Sequence, residues 1–493
     1  MSKLSIQGTV LTPENGDAYS AALRRNSDLS SLPAKIITQP TAYADIPLIL
    51  SYAKTATPPL EIAIKGGGAH SSTWASSDGG LVIDLSKLNA VTVSEDKKSV
   101  AVQGGALWGD VYGVLAKEGL EVVGGPLWFV GVGGFTLGGG YGPLSGIHGL
   151  AIDNLINATV VLSDGRIVKT SLSEEPDLFW AIRGGGSQFG VVVEFTFKLF
   201  PNEGPYGAGV LAYKGQELEN MIKIIQTWKT TQSPLERLTL LFSRPAPHFQ
   251  PSVVLLPWVA HDTDGERSKS VLSPFRDGAT KPVFEKYGTV PDMLAVSHAG
   301  DAGLATAPRR LSIRGTFFSD FFPELLLGVW EKYVAFTEGN EDVKASAVLW
   351  DLTSPAKLVE VDVDATALKT REPHYWMAVQ GRSTTDASVA AAREFTASTT
   401  AYVREKNAQL SGQDLGWFVN LCAGDEKVED VFGRHLPRLR EAKRKYDPEQ
   451  TWKKGVFIDA SSRHTETVST LKGLRKLVAR VRVGYSRRVS KRG

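Results

Sequence analysis

The 493-residue sequence predicts an α+β protein in two parts, on three observations. Short strand and helix patterns alternate as far as Pro201, three glycine clusters fall inside that stretch, and from Asn202 glycine thins out while longer strands alternate with helices. The expected units are residues 1–201, a second α+β domain at 202–429, a return of the chain to the first part at 430–470, and a basic tail at 471–493.

Each element has a local reason. The apolar run from Glu61 to Ile64 reads as a strand. Asp45 to Lys54 reads as a helix capped by Asp45, with Pro47 tolerated in its first turn. Leu81 to Leu85 and Ser99 to Gln103 read as strands; Trp108, Val111, Tyr112 and Leu115 then recur at helical spacing and define one apolar face. Asp164-Gly165 between Ala158–Ser163 and Arg166–Thr170 is a hairpin signal, and Val191 to Leu199 alternates as a strand. In the second part, Ser252–Trp258, Ser346–Leu352 and Tyr375–Gln380 read as strands. Pro323–Phe336 and Ser388–Val403 read as helices, as does Val431–Arg444, while Trp417 and Asn420 fall on a further candidate strand.

The glycine clusters carry the functional signal. Residues 104 to 149 hold 16 of the chain's 49 glycines. Glycine costs about 0.5–1 kcal/mol in regular structure, so this concentration points to backbone that lies against a bulky ligand, and the run Val130 to Gly142 suits neither a helix nor a plain strand. Lys65-Gly66-Gly67-Gly68-Ala69-His70-Ser71 offers consecutive N–H groups as an anion nest, suited to a pyrophosphate. A third cluster spans Trp180 to Gly190. None matches GxGxxG between a strand and a helix, nor GxxxxGK[ST], which disfavours a Rossmann site and a P-loop.

Composition excludes other classes. With 55 basic against 53 acidic residues the net charge is +2, and nothing drives the chain toward nucleic acid. One cysteine, Cys422, rules out an intramolecular disulfide and a cysteine zinc site; no metal site is expected. The N terminus lacks an apolar signal core and no 18-residue apolar run occurs, so a cytoplasmic protein without stable membrane insertion is expected. The tail from Lys472 to Arg492 is basic and reads as solvated and partly disordered, with a basic helix on a membrane surface as the alternative.

The order KGGGAHS, DGGLVIDLSKL, VQGGALWGDVYGVL, VGVGGFTLGGGYG, HGLAIDNL, LSDGRIV, DLFWAIRGGGSQFGVVVEF and, near the C terminus, KYDPEQTWKKG resembles the FAD-linked oxidoreductases of the vanillyl-alcohol-oxidase or PCMH type, in the berberine-bridge-enzyme-like branch. The resemblance implies a two-part PCMH-type FAD-binding domain plus a substrate domain whose antiparallel sheet, covered by helices, closes over the flavin ring. FAD-binding candidates are Lys65, Gly66, Gly67, Gly68, Ala69, His70, Ser71, Leu127, Val130, Gly131, Gly133, Gly134, Thr136, Gly139, Gly140, Tyr141, Asp153, Asn154, Gly190 and Val192.

In the family, the residue after the triple glycine is commonly a histidine bonded to the flavin 8α carbon; here Ala69 stands there and His70 follows. Noncovalent FAD is favoured, because a one-residue slip in an extended loop turns the side chain to the other side. A bond through His70 is the alternative. The family's cysteinyl attachment falls at Leu127, which excludes double linkage. Candidate catalytic residues are Tyr141, His374 and Tyr375; Tyr375 shares a strand face with Met377 and Val379, and His374 shares the other with Trp376 and Ala378.

The leading expectation is an oxidase that passes hydride from a small molecule of specialised metabolism to flavin N5 and then electrons to O₂, giving H₂O₂. The alternatives are a dehydrogenase or cyclase that does not use O₂, or a flavin-binding protein without turnover. Oligomeric state is not encoded in any feature named above.

Overall fold

A computed structural model describes residues 4–245, 248–305 and 307–461. The basic tail at 471–493 and the last residues of the 430–470 return lie outside the described residues.

Two sheets make up the N-terminal part. The first contains β1 (Thr9–Leu11), β2 (Ile36–Gln39), β3 (Ile62–Lys65) and β4 (Leu81–Asp84) in the order β1-β2-β4-β3, with β2 and β3 parallel to β4. Parallel neighbours need a crossover, and the helix Asp45–Thr55 supplies it between β2 and β3. Asp45 does not cap that helix; its buried carboxylate accepts from the backbone N–H groups of Gln7, Gly8, Thr41 and Ala42, tying the N-terminal segment down. The second sheet is antiparallel: β5 (Val91–Val93), β6 (Ser99–Gln103), β8 (Leu155–Val161), β9 (Ile167–Ser171) and β10 (Val191–Lys198), in the order β5-β6-β10-β8-β9. A short ribbon joins β7 (Leu120–Glu121) to β11 (Phe200–Pro201). The helix Trp108–Glu118 buries Trp108, Val111, Tyr112 and Leu115, the face the spacing defined.

The third sheet has seven antiparallel strands: β12 (Tyr206–Lys214), β13 (Glu236–Ser243), β14 (Ser252–Val259), β15 (Phe284–Val290), β16 (Arg310–Phe318), β17 (Ala347–Thr353) and β18 (Tyr375–Ser383), in the order β15-β12-β14-β13-β17-β18-β16. One face packs under the helices Leu218–Lys229, Glu266–Arg276, Pro323–Glu338 and Val389–Ser411. Leu218, Met221, Ile222, Ile225 and Trp228 form the buried stripe of the first of these. The other face turns toward the glycine loops.

Three expectations change. The glycine stretch is not irregular throughout: Val132–Leu137 is a helix, because its apolar residues bury Val132, Phe135 and Leu137. Trp417 and Asn420 do not sit on a strand; Trp417 makes a single bridge to Thr316 and Val419–Leu421 is a 3-10 turn. The expected helix Val431–Arg444 breaks at Gly433, whose φ is +48°, into Val428–Phe432 and Leu436–Tyr446. The second piece ends in a buried ion pair between Lys443 and Asp447 at 2.7 Å. Lys443 also donates to the carbonyls of Gln188 and Trp452, which docks the C-terminal segment against the N-terminal part.

Candidate cofactor and substrate site

The loop after β3 is held by its neighbours and leaves its donors free. A Cβ on Gly67 would lie 2.5 Å from the Gly131 nitrogen, and one on Gly131 would lie 2.3 Å from the Gly67 nitrogen. The first two glycine clusters therefore touch backbone to backbone, and this contact, rather than a ligand, requires glycine at 67 and 131. Ser71 Oγ accepts from Ile313 N–H at 2.9 Å, fastening the loop to the edge of the large sheet. Among the described residues, the backbone N–H groups of Gly67, Gly68, Ala69, His70 and Ser71 donate to no protein acceptor. Five consecutive N–H groups without a protein acceptor are the kind of backbone that can hold an anion. Lys65 lies at the root of the loop but is paired with Asp84 at 3.2 Å, so backbone dipoles, not a free cation, supply the positive potential.

Three buried polar atoms around this loop have no hydrogen-bond partner: His70 Nε2, Thr136 Oγ1 and Asn420 Oδ1. Buried polar atoms are seldom left so; Asn420 joins the other two, since its amide bonds the helix that carries Thr136 and its backbone adjoins the His70 ring. Asn420 spends both amide hydrogens on the carbonyls of Gly134 and Phe135, which leaves Oδ1 as a pure acceptor. His70 Nδ1 accepts from Ser72 N–H at 3.0 Å and faces Ser72 Oγ at 2.6 Å. A backbone N–H is always a donor, so the neutral ring carries its proton on Nε2. The ring stacks on Trp74 at 4.4 Å, and burial lowers its pKa to about 4, an effect that the adjacent Asn420 backbone offsets only in part.

The other candidates divide. Gly66, Gly131 and Gly133 line the contact between the loop, β6 and the helix Val132–Leu137; Gly66 and Gly133 both face the Gly104 carbonyl. A Cβ on Gly134 would meet no protein atom within 4 Å, whereas Gly139 and Gly140 adopt φ of +122° and +78° to bring Tyr141 round. Leu127 and Val130 are half-buried on the neighbouring loop. Gly190 and Val192 support Gly104 and β8 from β10.

Asp153 and Asn154 brace the fold instead of facing a ligand. Asp153 pairs with buried Arg371 at 2.6 and 2.9 Å, and Asn154 donates to the carbonyls of His148 and Leu150. The third glycine loop gives the N–H groups of Gly184 and Gly186 to the Leu137 carbonyl, so it buttresses the helix end and offers no such row of donors.

Tyr141 and His374, 233 residues apart, meet: Tyr141 Oη lies 2.7 Å from His374 Nε2. His374 Nδ1 lies 2.7 Å from the Glu372 carbonyl, which can only accept, so Nδ1 carries the proton and Tyr141 donates to Nε2. Burial raises the Tyr141 hydroxyl and lowers His374 to about 4. Phe317, Phe418, Leu368 and Leu415 close around the pair. Tyr375 is a correction: its ring lies on the opposite sheet face against Phe318 and the Lys229 ammonium, with its hydroxyl pushed up to about 12 by burial, because successive residues of β18 point to opposite sides. Cys422 is fully buried and burial pushes its thiol up, so no thiolate is offered. Sequence reasoning missed Arg371 and Gln380; only the alternation already visible in β18, continued two residues past Ala378, marks Gln380 as facing the site.

A site built from glycine loops against an antiparallel sheet is compatible with a flavin-type oxidoreductase, and comparison with known proteins shows that class. Residues 34–171 match the FAD binding domain family and residues 417–454 the berberine and berberine-like family. The FAD-linked oxidoreductase pgmH of Aspergillus terreus is 30% identical over 472 residues, covering 91% of this chain and 93% of that one. The FAD-linked oxidoreductase OXR1 of Pyricularia oryzae is 28% identical, covering 84% and 82%. In fold, the chain is similar to 6-hydroxy-D-nicotine oxidase from Arthrobacter nicotinovorans, with a TM-score of 0.79, 23% identity, and 93% and 99% of the two chains covered. It is also similar to glucooligosaccharide oxidase from Acremonium strictum, with a TM-score of 0.76, 22% identity, and 92% and 97% covered. The chain belongs to the FAD-linked oxidoreductases of the berberine-bridge-enzyme-like branch, and it is an FAD-dependent enzyme of that family. No helix among the described residues is long and apolar enough to cross a membrane.

Proposed function

We propose that this enzyme is an oxidase of a small-molecule alcohol or amine. The observation that carries its cofactor site is the row of five free N–H groups from Gly67 to Ser71, a match for the FAD pyrophosphate. Gly134, bare on its open side, lets the ring system approach the helix Val132–Leu137, and Asn420, bonded to the Gly134 carbonyl, has an unspent Oδ1 beside it. Bound FAD supplies the hydride acceptor at N5 and the route for electrons to O₂. Both solved neighbours named above are oxidases, and Val130, half-buried next to the loop contact at Gly131, is a short side chain that hinders O₂ less than a longer one would.

FAD is held without a covalent bond in this reading. Ala69 stands at the family's attachment position, and His70 directs its Nδ1 lone pair at Ser72 and keeps a proton on Nε2, so neither nitrogen is a free nucleophile. Acid precipitation checks this: the yellow colour stays in the supernatant, and a yellow pellet would assign the bond to His70.

The Tyr141–His374 pair takes the substrate proton. Tyr141 accepts the O–H or N–H proton of the substrate on its oxygen while passing its own to His374 Nε2, which is neutral and holds a free lone pair above pH 4. A tyrosine raised by burial cannot serve as a standing phenolate base, and the histidine behind it removes that need.

The oxidase assignment is tested by mixing photoreduced protein with aerated buffer and following flavin absorbance in a stopped-flow instrument. Reoxidation faster than that of free reduced flavin supports it. An equal or slower rate would replace it with a dehydrogenase or redox-neutral activity.

A further inference from the structure

The sheet face that looks toward the glycine loops is apolar where it is open and electrically closed where it is charged. Across β14, β13, β17, β18 and β16 the register sets Val254, Leu241, Leu349, Ala378 and Gly315 in one apolar row, with Leu256, Thr239, Asp351, Trp376 and Phe317 in the next. On the other face Leu240, Trp350 and Met377 are fully buried under the helices, whereas Leu241, Leu256, Leu349 and Trp376 keep partial exposure. None of the packed apolar clusters among the described residues includes Leu241, Leu256 or Leu349.

The face is pinned to the N-terminal part at its two sides: Ser27 to Leu311, Ser71 to Ile313 and Tyr141 against Phe317 on β16, and, before β13, Gly146, which has no room for a Cβ beside the Pro234 carbonyl. Leu241 and Leu349 lie on the strands between these supports.

Three charged residues stand on the same face of these five strands, and each is already engaged. Arg237 pairs with Asp351, Asp351 also accepts from Thr353, and Arg382 donates to the Pro308 carbonyl at 2.7 Å. An ionised substrate would find no free countercharge there and would be desolvated without return. The row next to Leu349 offers one unspent side-chain amide: Gln380 Oε1 accepts weakly from Arg382 at 3.4 Å, and its Nε2 donates to no protein acceptor among the described residues. An oligosaccharide carries many hydroxyls, each needing a partner when buried, and an aliphatic row cannot meet them.

We propose, resting on the reading that FAD lies between the glycine loops and this face, that the substrate is a neutral, largely apolar ring compound with an oxygen that accepts from Gln380. Leu241 and Leu349 hold its rings, and the Tyr141–His374 pair closes the end where the reacting group sits. Ionised and polyhydroxylated molecules are rejected.

The test uses the full-length holoenzyme with three probes: 2-naphthalenemethanol, 2-naphthoate and cellobiose. Binding is read from the perturbation of flavin absorbance and from quenching of tryptophan fluorescence, so turnover is not required. The neutral naphthyl alcohol is expected to bind at least tenfold more tightly than either other probe. Leu349→Ser and Leu241→Ser are each expected to weaken it roughly tenfold or more, the scale set by removing apolar contact from a ligand pocket, with FAD content unchanged as the check on folding. Gln380→Leu is expected to weaken it while leaving naphthalene itself unaffected. Cellobiose or naphthoate binding as tightly as the alcohol, or leucine variants that retain FAD and bind it normally, would overturn the substrate class alone. A protein that carries no FAD before any probe is added would overturn the underlying reading as well.

Discussion

Gly67→Ala tests the packing of the two glycine loops directly. The added Cβ would sit 2.5 Å from the Gly131 nitrogen, 2.6 Å from its Cα and 2.9 Å from Leu107 Cδ2. Ordinary carbon contacts lie at about 3.5–4.0 Å, so the loops must part by about 1 Å, and two backbones cannot yield as a side chain does. Overpacking of this kind costs about 1–3 kcal/mol. It also displaces the row of N–H donors that begins at residue 67.

The expected outcome is a folded protein with a melting temperature lowered by about 1–3 °C, the shift that this cost gives in a chain of this length, and FAD affinity reduced by roughly one to two orders of magnitude, about 1.4 kcal/mol per order. Gly134→Ala is the matched control for the fold: its Cβ meets no protein atom within 4 Å, so the apoprotein keeps its stability while FAD binding suffers. The assay is the ratio of flavin to protein absorbance after gel filtration, with thermal release of FAD fluorescence for stability. Full FAD content and an unchanged melting temperature in Gly67→Ala would refute the reasoning.

Four further outcomes are expected. Val130→Leu slows reoxidation of the photoreduced enzyme while leaving anaerobic reduction by substrate nearly unchanged, both read by stopped-flow absorbance; an equal effect on the two half-reactions would count against a gas-access role. His374→Gln lowers kcat by about 10²–10⁴-fold with FAD retained, as loss of a positioned proton acceptor requires, and a variant with normal kcat would remove the pair from the mechanism. His374 also makes stability depend on pH. Its pKa is about 4 folded against 6.5 unfolded, so the unfolded chain binds more protons between these values; its contribution to stability is full above pH 6.5 and falls by about 3 kcal/mol toward pH 4, and because His70 is lowered to about 4 as well, denaturant titrations of His374→Gln keep the His70 share of the slope and lose only that of His374. Arg371→Met leaves Asp153 charged, buried and unpaired and costs about 3–5 kcal/mol by denaturant midpoint, whereas Arg166→Ala, at an exposed pair, costs less than about 1 kcal/mol.

Much of the local architecture was legible because its causes are local. The helix Trp108–Glu118 follows from four apolar residues at helical spacing, and the β8–β9 hairpin follows from Asp164-Gly165, where Gly165 takes φ +86°. The failures share a cause as well. Val132–Leu137 is helical despite its glycines, since burying Val132, Phe135 and Leu137 outweighs glycine's entropic penalty. Asn420 leaves the expected strand because its amide is drawn to the carbonyls of the helix Val132–Leu137.

By itself, the sequence determined the α+β class, the family, FAD as the cofactor and the loop after β3 as the place with free donors, because consecutive glycines and strand alternation act within a few residues. Only the tertiary structure decided what each side chain faces. It brings Tyr141 to His374, turns Tyr375 away into the core under the helices, and pairs Asp153 with Arg371. It also shows that Gly67 and Gly131 are small for each other's sake. Such contacts join residues tens to hundreds of positions apart, and their partners are selected by close packing across the whole molecule, which no local pattern records.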